Sequence, residues 1–374
     1  MTAKKCFFIF VSFSAVLLVA AAFLVAYTDP FFHYHAPYTD RFYYRLDNQR
    51  FQNDGILKHF DYDALITGSS MAENFTVTEV NDLFGVHAVK VCYEGATLHE
   101  TNEALRTAFA NNEGIRMVIR PVETDRFWEY SDQTNNDVFE YPEYLYNNNL
   151  PDDVSYVWNK DVLFQRVYPM LRGAKNKETP GILPFDLYGY WMHGAVGRFG
   201  KNTVLEGHGP FAQPEGGMRE LPDYLHDVTR ETLEQNVIAI CREHPETEFY
   251  CFIPPYSALW WGDEISYGSF AMRLESEREG LSQIVNSGCE NLKLFSFNLE
   301  TDITLDLNNY IDNAHYGEWV NSYMLQEMHA GTHRLTAENL EDYLEAERKL
   351  YESFDYNLLF EQEDLEDKPA KLSW

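Results

Sequence analysis

From Asp63 onward the chain alternates short apolar runs with longer amphipathic segments, and this rhythm limits the fold more than any other feature. The runs 64–67, 86–92, 116–122, 248–253 and 292–297 have strand length, and each carries β-branched or aromatic residues. Segments 76–83, 97–111, 228–244 and 272–285 read as helices, and 336–354 as an amphipathic surface helix. In 97–111 the residues Leu98, Ala104, Leu105 and Ala108 share one side; in 228–244 Leu233, Val237, Ile238 and Ile240 do the same. Strands alternating with helices predict an α/β protein: a three-layer α/β/α sandwich around a five-stranded, mostly parallel sheet covered on both faces. Residues 128–222 interrupt the rhythm with Asn, Tyr, Pro and Gly, as in Tyr144-Leu145-Tyr146-Asn147-Asn148-Asn149. Interruptions of that length form lids or binding loops. Its exposed Tyr and Trp suit either stacking on sugar rings or a small core of the insertion's own.

The N-terminus constrains the compartment. Residues 7–26 are uncharged, and only Ser12 and Ser14 among them are polar. As a helix this run spans about 30 Å, the thickness of a bilayer core. Lys4 and Lys5 precede it and acidic residues dominate from Asp29 onward, so the positive-inside rule predicts a cytoplasmic N-terminus and an extracytoplasmic bulk. A cleaved signal peptide is the alternative, but the run is long and no clear A-x-A site follows it. The expected division is a cytoplasmic stub and transmembrane anchor over 1–28, a juxtamembrane connector over 29–60, and an extracytoplasmic domain over 61–374. The connector is rich in aromatics that suit the membrane interface, and His33-Tyr34-His35 within it has no ligand cluster at metal spacing.

A formal net charge of −30 repels nucleic acid and anionic lipid headgroups, which excludes both as expected partners. Cys6, Cys92, Cys241, Cys251 and Cys289 form no C-x-x-C pair and read as small hydrophobes rather than a disulfide framework or metal site.

Two stretches carry candidate chemistry. In Ala64-Leu65-Ile66-Thr67-Gly68-Ser69-Ser70-Met71-Ala72-Glu73, a glycine turn follows the first strand and places Ser70 where helix N–H groups converge. Such a serine suits a nucleophile whose reaction develops an oxyanion, yet Ser70-x-x-Glu73 is also a capping box. That segment alone favours the cap. In Asp312-Asn313-Ala314-His315, an aspartate three residues before a histidine can hold the imidazole N–H and leave the other nitrogen to accept a proton. The competing role for Asp312 is a cap on a helix starting near Gly317. Ser70 follows strand one, Gly95 strand two and Asp312 and His315 strand five, so all fall at the strand ends where open α/β sheets bind ligands.

With Gly68-Ser69-Ser70, Tyr93-Glu94-Gly95-Ala96 and Asp312-Asn313-Ala314-His315 in those places, the chain resembles the SGNH (GDSL-like) hydrolase superfamily. That family has a Ser in a G-D-S block after the first strand, a Gly after the second that supplies an oxyanion N–H, and a D-x-x-H near the C-terminus. Here Ser69 stands in place of the Asp. The third block, G-x-N-D, is missing: strand three runs into Pro121-Val122-Glu123-Thr124-Asp125, where Thr124 is the candidate replacement donor. The resemblance covers about 61–127 and 228–328, leaves the insertion outside, and implies a flavodoxin-like sheet. Gly68-Ser69-Ser70-Met71-Ala72 nearly fits the G-x-S-x-G elbow of α/β-hydrolases, but in that fold several strands precede the nucleophile and here one does. The remaining histidines (His59, His87, His99, His193, His208, His226, His244, His329 and His333) have no comparable partner nearby in sequence.

A membrane anchor with this domain outside is similar to the extracytoplasmic SGNH-like proteins that work beside membrane-bound O-acyltransferases, such as the D-alanine transfer protein and the alginate acetylation proteins. Phe252-Ile253-Pro254-Pro255-Tyr256-Ser257 also resembles their pattern. The resemblance implies that Ser70 attacks an acyl ester, His315 takes its proton, Asp312 orients His315, and the N–H groups of Ser70 and Gly95 hold the oxyanion. The implied partners are an acylated cell-surface glycan and a membrane-bound O-acyltransferase. No metal or cofactor is implied. The alternative is a non-catalytic partner that keeps the fold as a binding module.

Overall fold

The computed structural model describes residues 2–136, 138, 141–189, 199–212, 214 and 216–364; His193 and the acidic end beyond Asp364 lie outside them. The chain forms two compact units, Met1–Asp61 with Asn136–Pro184, and Tyr62–Asn135 with Phe185–Trp374. The interruption at 128–222 is therefore not one body: its 136–184 portion joins the N-terminal segment. The strands in chain order are β1 Tyr43–Tyr44, β2 Ala64–Gly68, β3 Ala88–Cys92, β4 Met117–Pro121, β5 Gly181–Ile182, β6 Glu248–Ile253, β7 Leu292–Ser296 and β8 Arg334–Leu335.

The larger unit is built on one sheet of order β3-β2-β4-β6-β7-β8. The first five of these are mutually parallel, and β8 runs antiparallel on β7 with Leu294 opposite Leu335 and Phe295 opposite Arg334. The sheet is thus six-stranded and mixed, a correction to the five strands expected. A two-residue strand with one exposed side chain carries no apolar run. Its pairing arises because the helix Glu318–Ala330 ends at Gly331 in a left-handed conformation and returns the chain to β7.

Every residue of β2, β3 and β4 is buried, as helices on both faces require. Alternate side chains divide between the faces. Ala64, Ile66, Met117 and Ile119 pack with Val80, Val320, Met324 and Leu325 from the helices Val77–Phe84 and Glu318–Ala330. Arg120, one residue on from Ile119, points the other way and donates to the Asn236 carbonyl at 2.9 Å and the Thr101 hydroxyl at 3.0 Å.

β2 ends at Gly68, whose φ of +140° is open to glycine and strained for other residues. A Cβ there would lie 2.3 Å from Pro121 Cδ at the end of β4. Gly68→Ala is expected to cost about 2–4 kcal/mol through backbone strain and overpacking, read as a lowered thermal midpoint.

In the smaller unit the helix Ala3–Thr28 is long and apolar enough to cross a membrane, the one such helix among the described residues. It stops at Asp29, in a left-handed conformation. The buried Asp29 carboxylate accepts from the backbone N–H groups of His33, Tyr34 and His35 and from the Tyr156 hydroxyl at 2.8 Å. Residues 29–60 are more than a connector: Gln49–His59 is a helix, and Phe31 packs between Phe51 and Tyr156. His33 pairs with Asp153 at 3.1 Å.

Candidate active site

Three turns meet where parallel strands end. The Tyr93 N–H donates to the Gly68 carbonyl at 2.8 Å, which sets the turn after β3 beside the turn after β2. Gly95 then takes a left-handed φ of +65°. Its carbonyl accepts from the Asn135 side chain, while its N–H has no partner among the described residues.

After Gly68 the chain enters the short helix Ser70–Glu73. Its cap is Ser69, whose Oγ accepts from the Met71 N–H at 3.2 Å. The capping-box assignment to Ser70 is corrected accordingly: with the first-turn donor met one residue earlier, the Ser70 hydroxyl is left for another partner. That partner is His315, with Oγ and Nε2 2.8 Å apart across 245 residues of sequence.

The loop carrying His315 is closed on itself. Tyr310 and Tyr316 form an antiparallel bridge, and the Ile311 N–H donates to the His315 carbonyl at 3.0 Å. Asp312 Oδ1 accepts the N–H groups of Ala314 and His315 at 2.8 and 2.7 Å, an Asx-type turn. Its Oδ2 lies 2.8 Å from His315 Nδ1. Asp312 therefore does not cap the helix Glu318–Ala330, which Gly317 precedes without a side-chain cap. With Nδ1–H directed at the carboxylate, Nε2 carries the lone pair that the Ser70 hydroxyl meets.

Burial pushes the Asp312 carboxyl up, but the His315 imidazole and the two backbone N–H groups outweigh it, and the carboxyl ends below its ordinary value. Burial likewise presses His315 down. Its hydrogen bond to Asp312 and the charges of Asp312, Glu123 and Glu73 reverse this, and the imidazole ends above the ordinary histidine value. Asp312 therefore strengthens His315 as a base.

Glu123 carries no motif signal, and Glu73 carries one only as the end of the apparent capping box. Glu123 is buried beyond the end of β4 and accepts a hydrogen bond from Ser69. Burial first, then the charge of Asp125, pushes its carboxyl up to about 7 against the opposing pull of Arg126 and Ser69. Glu73 is buried in the last position of the serine helix, and Lys90 Nζ, also buried, donates to its backbone carbonyl. Thr124, the candidate third oxyanion donor, begins a short helical turn with its hydroxyl closed to solvent and without a partner among the described residues.

A second layer holds the serine turn and the histidine loop together. The Met71 carbonyl accepts from the Tyr316 hydroxyl at 3.3 Å and from Asn321 Nδ2 at 3.2 Å. Ser257 Oγ donates to the Asn313 carbonyl at 2.6 Å, and Asn313 Nδ2 reaches Asp263, which also meets His208. Removing both ties to Met71 in the double variant Tyr316→Phe, Asn321→Ala is expected to cost about 1–2 kcal/mol of stability. It should also cost about tenfold in reactivity at Ser70, since reacting groups lose rate when their alignment loosens. Thermal melting and the rate of serine labelling read the two effects separately.

His226 meets Glu279, His244 stacks on Phe109, and His333 faces Glu300. No group of three His, Cys, Asp or Glu among the described residues is arranged to hold a metal ion.

No family model, no curated protein and no solved structure matches the chain.

Proposed function

We propose that this chain is a membrane-anchored, extracytoplasmic SGNH-type serine esterase or O-acyltransferase acting on acyl esters of a cell-surface polysaccharide or teichoic-acid-like polymer. The observation that carries the reading is the relay of two 2.8 Å contacts, from Ser70 Oγ to His315 Nε2 and from His315 Nδ1 to Asp312 Oδ2. A cap needs no such relay. A nucleophile does.

Ser70 Oγ attacks the acyl carbonyl carbon as its proton passes to His315 Nε2. The N–H groups of Ser70 and Gly95 receive the developing oxyanion. As the ester C–O bond breaks, the imidazolium returns the proton to the departing alcohol and leaves an acyl-Ser70. Water or a sugar hydroxyl then attacks that ester, with His315 taking the new proton and giving it back to Ser70. Lys4 and Lys5 at the start of the helix Ala3–Thr28 favour a cytoplasmic N-terminus, which puts the site on the side where surface glycans are exposed.

The test is a fluorophosphonate probe. A stoichiometric adduct on Ser70 that is abolished in Ser70→Ala and suppressed in His315→Ala supports the reading. Absence of an adduct in the folded protein assigns the chain instead to the non-catalytic class, a binding module beside a membrane-bound O-acyltransferase. The enclosed Thr124 hydroxyl is the feature that favours this second reading.

A further inference from the structure

The 136–184 portion of the smaller unit has two sides. Asp153, Tyr156, Val162 and Val167 point inward. Tyr156, Val162 and Val167 share a core with Val25 and Phe31, at and just beyond the end of the apolar helix. Leu150, Val154, Trp158, Phe164 and Tyr168 point outward, each between about half and three-quarters exposed. Leu150 opens the 3-10 turn Leu150–Asp153, Val154 the short helix Val154–Val157 that Trp158 ends, Phe164 lies in the π-helical turn Val162–Val167 and Tyr168 begins the helix Tyr168–Lys175, so the five exposed side chains come from successive turns of one segment. Apart from the apolar helix itself, no other stretch of comparable length among the described residues exposes so many large apolar side chains.

One contact fixes where this surface lies. Trp158 Nε1 donates to the backbone carbonyl of Leu18 at 3.0 Å. Leu18 is ten residues before the last residue of the helix Ala3–Thr28, about 15 Å along its axis at 1.5 Å per residue. A side chain hydrogen-bonded there lies well inside the length that a bilayer core of about 30 Å would cover. The segment is also clamped at that end of the helix. Asp29 holds the Tyr156 hydroxyl, and Asp153 accepts from His33 and from the Tyr34 hydroxyl at 2.9 Å. The segment cannot swing away from the helix without breaking these buried bonds.

We infer that the outer surface of 150–168 is a second membrane contact, with Leu150, Val154, Trp158, Phe164 and Tyr168 immersed among the lipid chains of the leaflet at the C-terminal end of the helix. The inference rests on the reading of Ala3–Thr28 as a membrane-spanning helix and is independent of the chemistry at Ser70. The occupant is lipid because the surface is continuous with a helix whose own side chains face lipid. The exposed charges in the segment, Asp152, Lys160 and Asp161, interrupt the apolar surface in the way that suits the boundary between chains and headgroups, where aromatic rings also favour residence. The consequence is orientational. A single helix can rotate and tilt freely, whereas a helix with a rigid side platform holds its unit at one angle to the bilayer.

The full chain, reconstituted in phosphatidylcholine nanodiscs containing a lipid with a photoreactive diazirine on its acyl chain, tests this. After illumination, adducts are expected on peptides from 150–168 as well as on the helix 3–28, with peptides of 223–243 as the unlabelled reference. Adducts on the helix but none on 150–168 overturn the inference and leave the anchor standing. Absence from both overturns the anchor and with it the inference. The double variant Val154→Asp, Phe164→Asp alters exposed positions only. It should lower labelling of 150–168 by at least about tenfold while the helix labels as before, because a carboxylate is strongly disfavoured among lipid chains. Unchanged labelling in that variant overturns the inference, as does labelling in nanodiscs that vanishes in native membranes, which would assign the surface to a membrane-protein partner.

Discussion

Replacement of Ser70 by alanine is expected to lower ester turnover by at least about 10⁴-fold and to leave the fold intact. Ser70 Oγ is the atom that forms the new bond, and among the described residues neither the Ser69 nor the Thr124 hydroxyl is placed to substitute for it. Ser69 Oγ is committed to the Met71 N–H and to Glu123, and the Thr124 hydroxyl is closed to solvent. The residual rate reports what the oxyanion donors and binding supply without a nucleophile. Stability should change little, because the helix cap belongs to Ser69 and the Ser70 side chain is only partly buried. The measurement is turnover of a series of acyl esters by wild type and variant, with thermal melting as the control. Equal turnover on every ester would end the proposal of a serine enzyme.

Asp312→Asn is expected to cost about 10⁴-fold by a different route. The carboxylate accepts three N–H bonds, from His315 Nδ1 and from the backbone of Ala314 and His315. An amide that turns its NH₂ toward the ring forces the proton onto Nε2. His315 then has no lone pair for the Ser70 proton. The pH dependence separates this from mere disorder of the loop. His315 must be neutral to act as a base, so activity rises with pH through its titration. Asp312, Glu123 and Glu73 hold that titration above the ordinary histidine value. In Asp312→Asn the acidic limb of kcat/KM should move to lower pH even as the maximum collapses. Glu123→Gln should move it the same way by a smaller amount and with most of the rate retained, because Glu123 acts on His315 by charge and, with its own carboxyl pushed up to about 7, carries only part of that charge across the limb. The two effects are read from kcat/KM profiles of the three proteins; a limb that stays in place in both variants would show that His315 is not the titrating base.

Much of the frame is legible in the order of the amino acids. The five runs expected as strands correspond to β2, β3, β4, β6 and β7, with ends shifted by at most two residues. Contiguous apolar segments bounded by polar turns leave little freedom in where a buried strand begins. The strand β8 was not legible, because two residues carry no periodicity and their pairing depends on where a distant helix ends. Nor was the division of 128–222. Its Tyr and Asn content reads as loop, and long-range contacts such as Tyr156 to Asp29 and Trp158 to Leu18 show that part of it belongs with the N-terminal helix. Ser70 and the Asp312–His315 pair stood out because the turn glycine and the three-residue spacing are local features. The effect of Glu123 and Glu73 on the histidine did not, since neither an isolated glutamate nor one that reads as part of a capping box gives a local sign of being buried where its charge reaches a histidine.

By itself the amino-acid sequence determined which segments could be strands, which helix could enter a membrane, and which residue types were available at the strand ends. Those properties follow from side-chain hydrophobicity and spacing, which act over a few residues. Only the tertiary structure decided that Ser69 rather than Ser70 takes the cap, that Ser70 meets His315, and that buried glutamates raise the base. Each is a choice between partners hundreds of residues apart or competing for one donor, and packing makes that choice once the sheet has brought its strand ends to one edge.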